Sequence, residues 1–272
     1  MRRDRVPPAL EPIDLDPDGR RPHIAGEPFL TRAAHGGKRE DTALLPDFAF
    51  SPAAGGPRGA GGPAIRMAGP VKLLLGTMVA LQVGATLLPA AQWRAVENAL
   101  VLVLFWRGEF LPERLYTLLT YALLHGDWGH LFFNGLWIAI LGSKVHDILG
   151  PARFLLFFAL ATVIAGMTQV AASWGQTSFV VGASGFVYAL IACIGHLYVV
   201  HPGDPPRERL KKLAVFTAAV FVLNVAFAYV AGGFLTAGGI AWEAHAGGFL
   251  AGLLLFPLLA SSAFRARHGG AG

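Results

Sequence analysis

A serine set among small residues, Gly182-Ala183-Ser184-Gly185, lies in an apolar run from Phe179 to Val200 that is long enough to cross a bilayer. A second such run carries His245 within Ala244-His245-Ala246-Gly247-Gly248, and a third carries His130 and Asn134. Polar side chains are costly in hydrocarbon, so their presence there points to function by default. A hydroxyl, an imidazole that can take its proton and two further side-chain donors are the components of an acyl-transfer site. A serine hydroxyl is a poor nucleophile until a base removes its proton, which gives His245 its expected part.

The elements that must hold these groups follow from composition. The chain has 272 residues, 54% hydrophobic and only 14% charged. A soluble domain averages roughly 25% charged residues, and the mean hydropathy here is +0.52. These values and the long apolar runs imply an integral membrane protein with all-α architecture. The net charge is +5, but lysine and arginine collect in the N-terminal tail and in certain loops. That distribution suits membrane orientation and not nucleic-acid binding. Cys193 is the single cysteine, which excludes an intramolecular disulfide, and its apolar surroundings suggest a small buried hydrophobe.

Residues 1–69 are a different material. Ten of the 18 prolines lie there, with glycine clusters such as Gly61-Gly62-Pro63 and mixed charges, so the segment reads as a disordered tail. Residues 70–265 read as a six-helix membrane domain, with spans near 71–89, 128–145, 152–173, 179–200, 212–232 and 243–262. Arg207, Arg209, Lys211 and Lys212 follow the fourth span, Arg265 and Arg267 follow the sixth, and the loops after the third and fifth have neither lysine nor arginine. Both termini are therefore expected to be cytoplasmic. The first outside connection, 90–127, is expected to be a structured loop in the membrane interface anchored by Trp106 and Tyr116, with Pro112 opening a helical turn. A seventh span over 99–117 is the alternative, and Arg107, Glu109, Glu113 and Arg114 oppose it.

Helix rise then sets depth. Asp127 is a candidate N-cap for the second span, with His130 in the first turn and Asn134 one turn beyond on the same face. Ser184 falls at most roughly 8 Å below the outer end of the fourth span, and His245 lies in the first turn of the sixth. All four thus sit on the outer side of three helices that descend from that side. A helix beginning near Gly182 would leave the Ser184 N–H unpaired, as a donor to an oxyanion. Gly182 and Gly185 allow close approach, and Gly248 and Gly252 give the sixth span a small-residue face for packing on the fourth.

His125, His130 and Asn134, the Gly182-Ala183-Ser184-Gly185 motif, and His245 with Gly248 and Gly252 together resemble the rhomboid intramembrane serine proteases, over about 70–262. Tyr188 matches a family position whose ring packs on the catalytic histidine. One departure is visible: Tyr116-Thr117 occupies the place where many members have Trp-Arg, while Thr120 matches and Arg114 is near enough to share the role. The resemblance implies a Ser184–His245 dyad, His130, Asn134 and the Ser184 N–H around the oxyanion, and Tyr188 orienting the imidazole. His125 is expected to be structural or to organise water. The implied partners are transmembrane protein substrates, cleaved near their outer ends in a lipid bilayer, with a bacterial inner membrane as the expected location. No nucleic acid, cofactor or metal is called for, since no H-E-x-x-H occurs. An inactive relative that binds and escorts membrane proteins is the alternative, and the presence of both serine and histidine argues against it. A histidine-relay channel would continue polar residues toward the cytoplasmic side, whereas Leu190-Ile191-Ala192-Cys193-Ile194 is apolar. Gln169 and Asn224 read as isolated interhelical hydrogen-bonders.

Overall fold

In a computed structural model of the chain, residues 67–201, 204–235 and 241–268 are described, apart from the side chains of 227–235 and 261–268. Nearly all of the expected tail, 1–69, lies outside the described residues. The described part is mostly helical. Among the described residues, three helices are long and apolar enough to cross a membrane: Gly69–Leu87, Pro151–Ala172 and Trp242–Ala260. A shorter apolar helix covers Ser184–Val199.

The chain enters through α1 (Gly69–Leu87), with Pro70 in its first turn, where a missing N–H leaves no gap in the ladder. It ends because Pro89 forces Leu88 into an extended conformation, and α2 (Ala90–Leu100) starts at once. The segment 99–117 is not a further spanning helix. It holds the end of α2, a hairpin of β1 (Phe105–Trp106) and β2 (Glu109–Phe110), and a 3-10 turn at Pro112–Arg114. The hairpin turns through Arg107 and Gly108, with φ of 51° and 87°, the left-handed pair that matches strand twist.

The terminal carbonyls of α2 have no partners within the helix. Arg114 supplies them, donating from Nη2 to the Asn98 and Val101 carbonyls at 2.6 and 3.0 Å, and from Nε to Val103 at 3.2 Å. Its positive charge also suits a helix C-terminus. Tyr116 donates to the Ala99 carbonyl at 2.8 Å, and Thr120 to Leu100 at 2.9 Å. Thus Arg114, Tyr116 and Thr120 tie this connection together in the region where the sequence departs from the family pattern.

After α3 (Thr117–Thr120) and a 3-10 turn, α4 (Trp128–Trp137) passes through a π turn (Ile138–Gly142) into α5 (Ser143–Leu149). Gly150, at φ 78°, reverses the chain into α6 (Pro151–Ala172). The fourth expected span, 179–200, is corrected at its start. Phe179–Ala183 is not helical, and Val180 pairs with Leu102 through two 3.1 Å hydrogen bonds. Helix α7 (Ser184–Ile194) begins only at Ser184 and runs into a π turn (Gly195–Val199). The pairing with the first connection competes with helix for these backbone groups and wins, since Gly182 takes φ 114°. Asp204 then accepts from the His201 N–H and from Lys212 before α8 (Pro206–Leu235), and α9 (Trp242–His268) closes the order.

Helix α7 is the buried centre, with Phe186, Ala189, Leu190, Ala192 and Cys193 almost fully enclosed. The Phe186 ring meets Phe154, Phe157 and Phe158 of α6 edge-on, at centroid distances of 6.0, 5.8 and 5.0 Å. Apolar side chains also cover the outside, including Leu73 on α1, Val222 and Leu223 on α8, and Leu254 on α9. In hydrocarbon such a surface needs no cover, and close small-residue contacts hold the helices together.

Candidate active site

Ser184 is placed by what precedes it. The Gly182 N–H donates to the Tyr121 carbonyl at 3.0 Å, and the Tyr121 hydroxyl donates to the Thr162 carbonyl of α6 at 3.0 Å. One buried tyrosine therefore fixes the chain two residues before the serine. Ala183 caps α7 without any side-chain acceptor, so helix geometry leaves the Ser184 N–H with no partner inside the helix. That end also carries the positive pole of the helix.

Helix α9 brings His245 in from the other side, and glycine makes the approach possible. A Cβ on Gly248 would overlap the Gly185 carbonyl oxygen and lie 2.7 Å from its carbon. A Cβ on Gly252 would lie 2.8 Å from Ala189 Cα, and one on Gly185 would lie 2.6 Å from the Ala165 methyl. The α7–α9 crossing is thus a backbone contact that no larger residue allows.

At this crossing His245 Nε2 and Ser184 Oγ are 2.8 Å apart. Tyr188, one turn after Ser184, stacks on the imidazole with ring centroids 4.3 Å apart and planes within 13°. The histidine is 5% exposed. Its other nitrogen, Nδ1, lies 2.8 Å from Asn224 Oδ1 of α8. Asn224 is itself 2% exposed and donates from Nδ2 to the Trp242 carbonyl at 3.2 Å. A cavity of about 110 Å³ opens beside these groups between α7, α8 and α9, walled by Tyr188, Thr217, Phe221, Asn224, His245 and Phe249.

Asp127 caps α4 by accepting from the His130 N–H at 2.7 Å. The His130 ring packs against Gly182, where a Cβ would come within 2.6 Å of its Cε1. Asn134 is 5% exposed and donates from Nδ2 to the His130 carbonyl at 2.9 Å. An amide has a second N–H, which that bond leaves available. Among the described residues neither His130 nor Asn134 hydrogen-bonds Ser184 itself. The His125 ring stands edge-on to His130 at 5.0 Å, and its two nitrogens are buried with no hydrogen-bond partner. Among the described residues no group of three or more histidine, cysteine, aspartate or glutamate side chains is arranged to hold a metal.

The structure thus joins Ser184, His245 and Tyr188, and sets His130 against the loop that leads to the serine. Two contributors were not legible as such. Asn224 reads from sequence as an isolated interhelical hydrogen-bonder, which its bonds from α8 to α9 make it, and only the side-chain geometry identifies His245 as the partner. Tyr121 is masked by its apolar neighbours, although a hydroxyl and a following His125 in one short segment were an available hint.

Comparison with known proteins places the chain among relatives. The rhomboid protease GlpG of Pectobacterium atrosepticum is 30% identical over 143 residues, covering 52% of this chain and 48% of that one. The rhomboid protease GlpG of Photorhabdus laumondii is 29% identical over 158 residues, covering 56% and 50%. That of Yersinia pestis is 33% identical over 141 residues, covering 50% and 45%. The chain spans about half the length of the curated relatives it matches. The family model described as the rhomboid domain matches residues 112–262, more than half of the chain and every residue discussed above from Tyr121 to Gly252, and on that match the chain belongs to the rhomboid family.

Proposed function

We propose that this protein is an intramembrane serine endopeptidase that cuts transmembrane helices of other membrane proteins near their outer ends. The observation that carries the reading is the 2.8 Å approach of His245 Nε2 to Ser184 Oγ under the stacked Tyr188 ring. In the proposed reaction Ser184 Oγ attacks a peptide carbonyl as its proton passes to His245 Nε2. The tetrahedral oxyanion is held by the Ser184 N–H, His130 and the free N–H of Asn134. His245 then gives the proton to the departing amine, leaving an acyl-serine. Water attacks this ester with His245 again as the base, releasing the carboxylate product and restoring the hydroxyl. Tyr188 keeps the imidazole in plane throughout. His125, beside His130, is given a structural or water-organising role, and no cofactor enters any step.

Six helices cross a bacterial inner membrane with both termini cytoplasmic, and the first connection lies in the outer interface. Hydrolysis needs water, so the site opens toward the outer face. A paired helical amide resists attack, so substrates with helix-weakening residues near the scissile bond are preferred. The test is cleavage of a labelled transmembrane substrate by purified protein in liposomes, against Ser184→Ala and His245→Ala. Cleavage by the wild type that both substitutions abolish supports the protease. No cleavage across several substrates overturns it in favour of a protein that binds and escorts membrane proteins.

A further inference from the structure

The hydrogen bonds around Asn224 settle which nitrogen of His245 bears the proton. The Trp242 carbonyl can only accept, so the group of Asn224 that faces it at 3.2 Å must be the NH₂. The carbonyl oxygen of the same amide must then face His245, where it lies 2.8 Å from Nδ1. An amide oxygen can only accept, so Nδ1 carries the hydrogen of the neutral ring. The remaining nitrogen, Nε2, therefore presents a bare lone pair to Ser184 Oγ at 2.8 Å. One carbonyl on α9 sets the amide on α8, the amide sets the imidazole, and the imidazole is left in the form able to take the serine's proton.

We infer that Asn224 is a positioning residue for His245, and that the protein works through a Ser184–His245–Asn224 relay with Tyr188 stacked on its middle member. This inference rests on the protease reading above and deepens it. The amide does for this ring what a carboxylate does in soluble serine hydrolases, which is to fix tautomer and orientation. It does so without placing a charge in a site where Asn224 and His245 are both almost completely buried. Tyr188 restrains only the ring plane, since a stacked face is indifferent to which nitrogen is protonated. Rotation about the ring axis is restrained by Asn224.

The test uses the full chain in lipid. Nitrogen-15 NMR of histidine-labelled protein, with His245 assigned by loss of its signals in His245→Gln, reads the tautomer directly. Protonated Nδ1 and unprotonated Nε2 are expected, and protonated Nε2 overturns the inference. In parallel, Asn224→Leu is expected to lower kcat about 10- to 100-fold on a labelled transmembrane substrate, with KM unchanged, because only proton transfer is disturbed. Asn224→Asp, which keeps an oxygen toward Nδ1, is expected to recover most of that loss. Equal kcat in wild type and Asn224→Leu overturns the inference, as does a loss that Asn224→Asp leaves unrecovered at a wild-type thermal unfolding midpoint. A wild-type protein that neither cleaves nor is labelled by a fluorophosphonate defeats the protease reading instead, and the NMR result still decides the role of Asn224.

Discussion

Replacing Gly248 with alanine should separate the two halves of the site by an amount that can be worked out. The new Cβ would lie 2.7 Å from the Gly185 carbonyl carbon and overlap the carbonyl oxygen. Carbon atoms in comfortable contact stand about 3.5–4.0 Å apart, so α9 must retreat from α7 by about 0.8 Å or more to relieve the clash. Gly185 adjoins Ser184, and Gly248 is nearly one turn beyond His245 on the same helix, so the retreat opens the Ser184–His245 gap. Its 2.8 Å hydrogen bond would stretch to about 3.6 Å, beyond useful hydrogen-bond range. Overpacking of this kind costs about 1–3 kcal/mol of stability, and a misplacement near 1 Å costs about 10²-fold in rate. The assay is the rate of fluorophosphonate labelling of Ser184 in liposomes, with the thermal unfolding midpoint measured alongside. A Gly248→Ala protein that labels at the wild-type rate refutes the claim that backbone contact at this crossing sets the catalytic distance. Gly76→Ala on α1 is the control, because a Cβ there meets nothing within 4 Å.

Substitutions at three further positions probe other supports. Gly182→Ala puts a side chain at φ 114° and into the His130 ring; strain alone costs about 1–3 kcal/mol, and both unfolding midpoint and Ser184 labelling should fall, so an unchanged midpoint counts against the proposed fit. Arg114→Ala strips donors from the Asn98, Val101 and Val103 carbonyls, and should cost about 1–3 kcal/mol, read as a lower midpoint; no change would show that this arginine does not secure the first connection. Tyr188→Phe keeps the stacked ring and should stay close to wild type, while Tyr188→Ala forfeits a ring pair worth about 0.5–1.5 kcal/mol, or about 2- to 13-fold in kcat; equal rates for the two variants would deny the ring its role.

Much of the site could be read from residue type and depth, because in an apolar run polarity is conspicuous. Ser184, His245, His130 and Asn134 stand out since each is costly where it lies. The glycines Gly248 and Gly252 show a spacing that only close helix packing uses. The same rule marks Asn224 as an interhelical hydrogen-bonder, which it is, but does not name His245 as its partner. It is equally conspicuous, but its partner is 21 residues away on another helix, and spacing does not encode which face α8 turns inward. The non-helical form of Phe179–Ala183 is hidden for a different reason. Their apolar character fits a spanning helix and a buried strand alike, and the pairing of Val180 with Leu102 is a non-local contact that hydropathy does not reveal. Likewise the charges of the first connection oppose a span, but do not disclose that Arg114 turns back onto the carbonyls closing α2.

The central claim is that Ser184 is a nucleophile activated by His245. The most direct measurement is mass-spectrometric mapping of the fluorophosphonate adduct on wild-type protein in lipid, with the labelling rate compared in His245→Ala. A single adduct on Ser184 is expected, formed far more slowly once the imidazole is removed. An adduct on another residue, or a Ser184 adduct whose rate ignores the loss of His245, contradicts it.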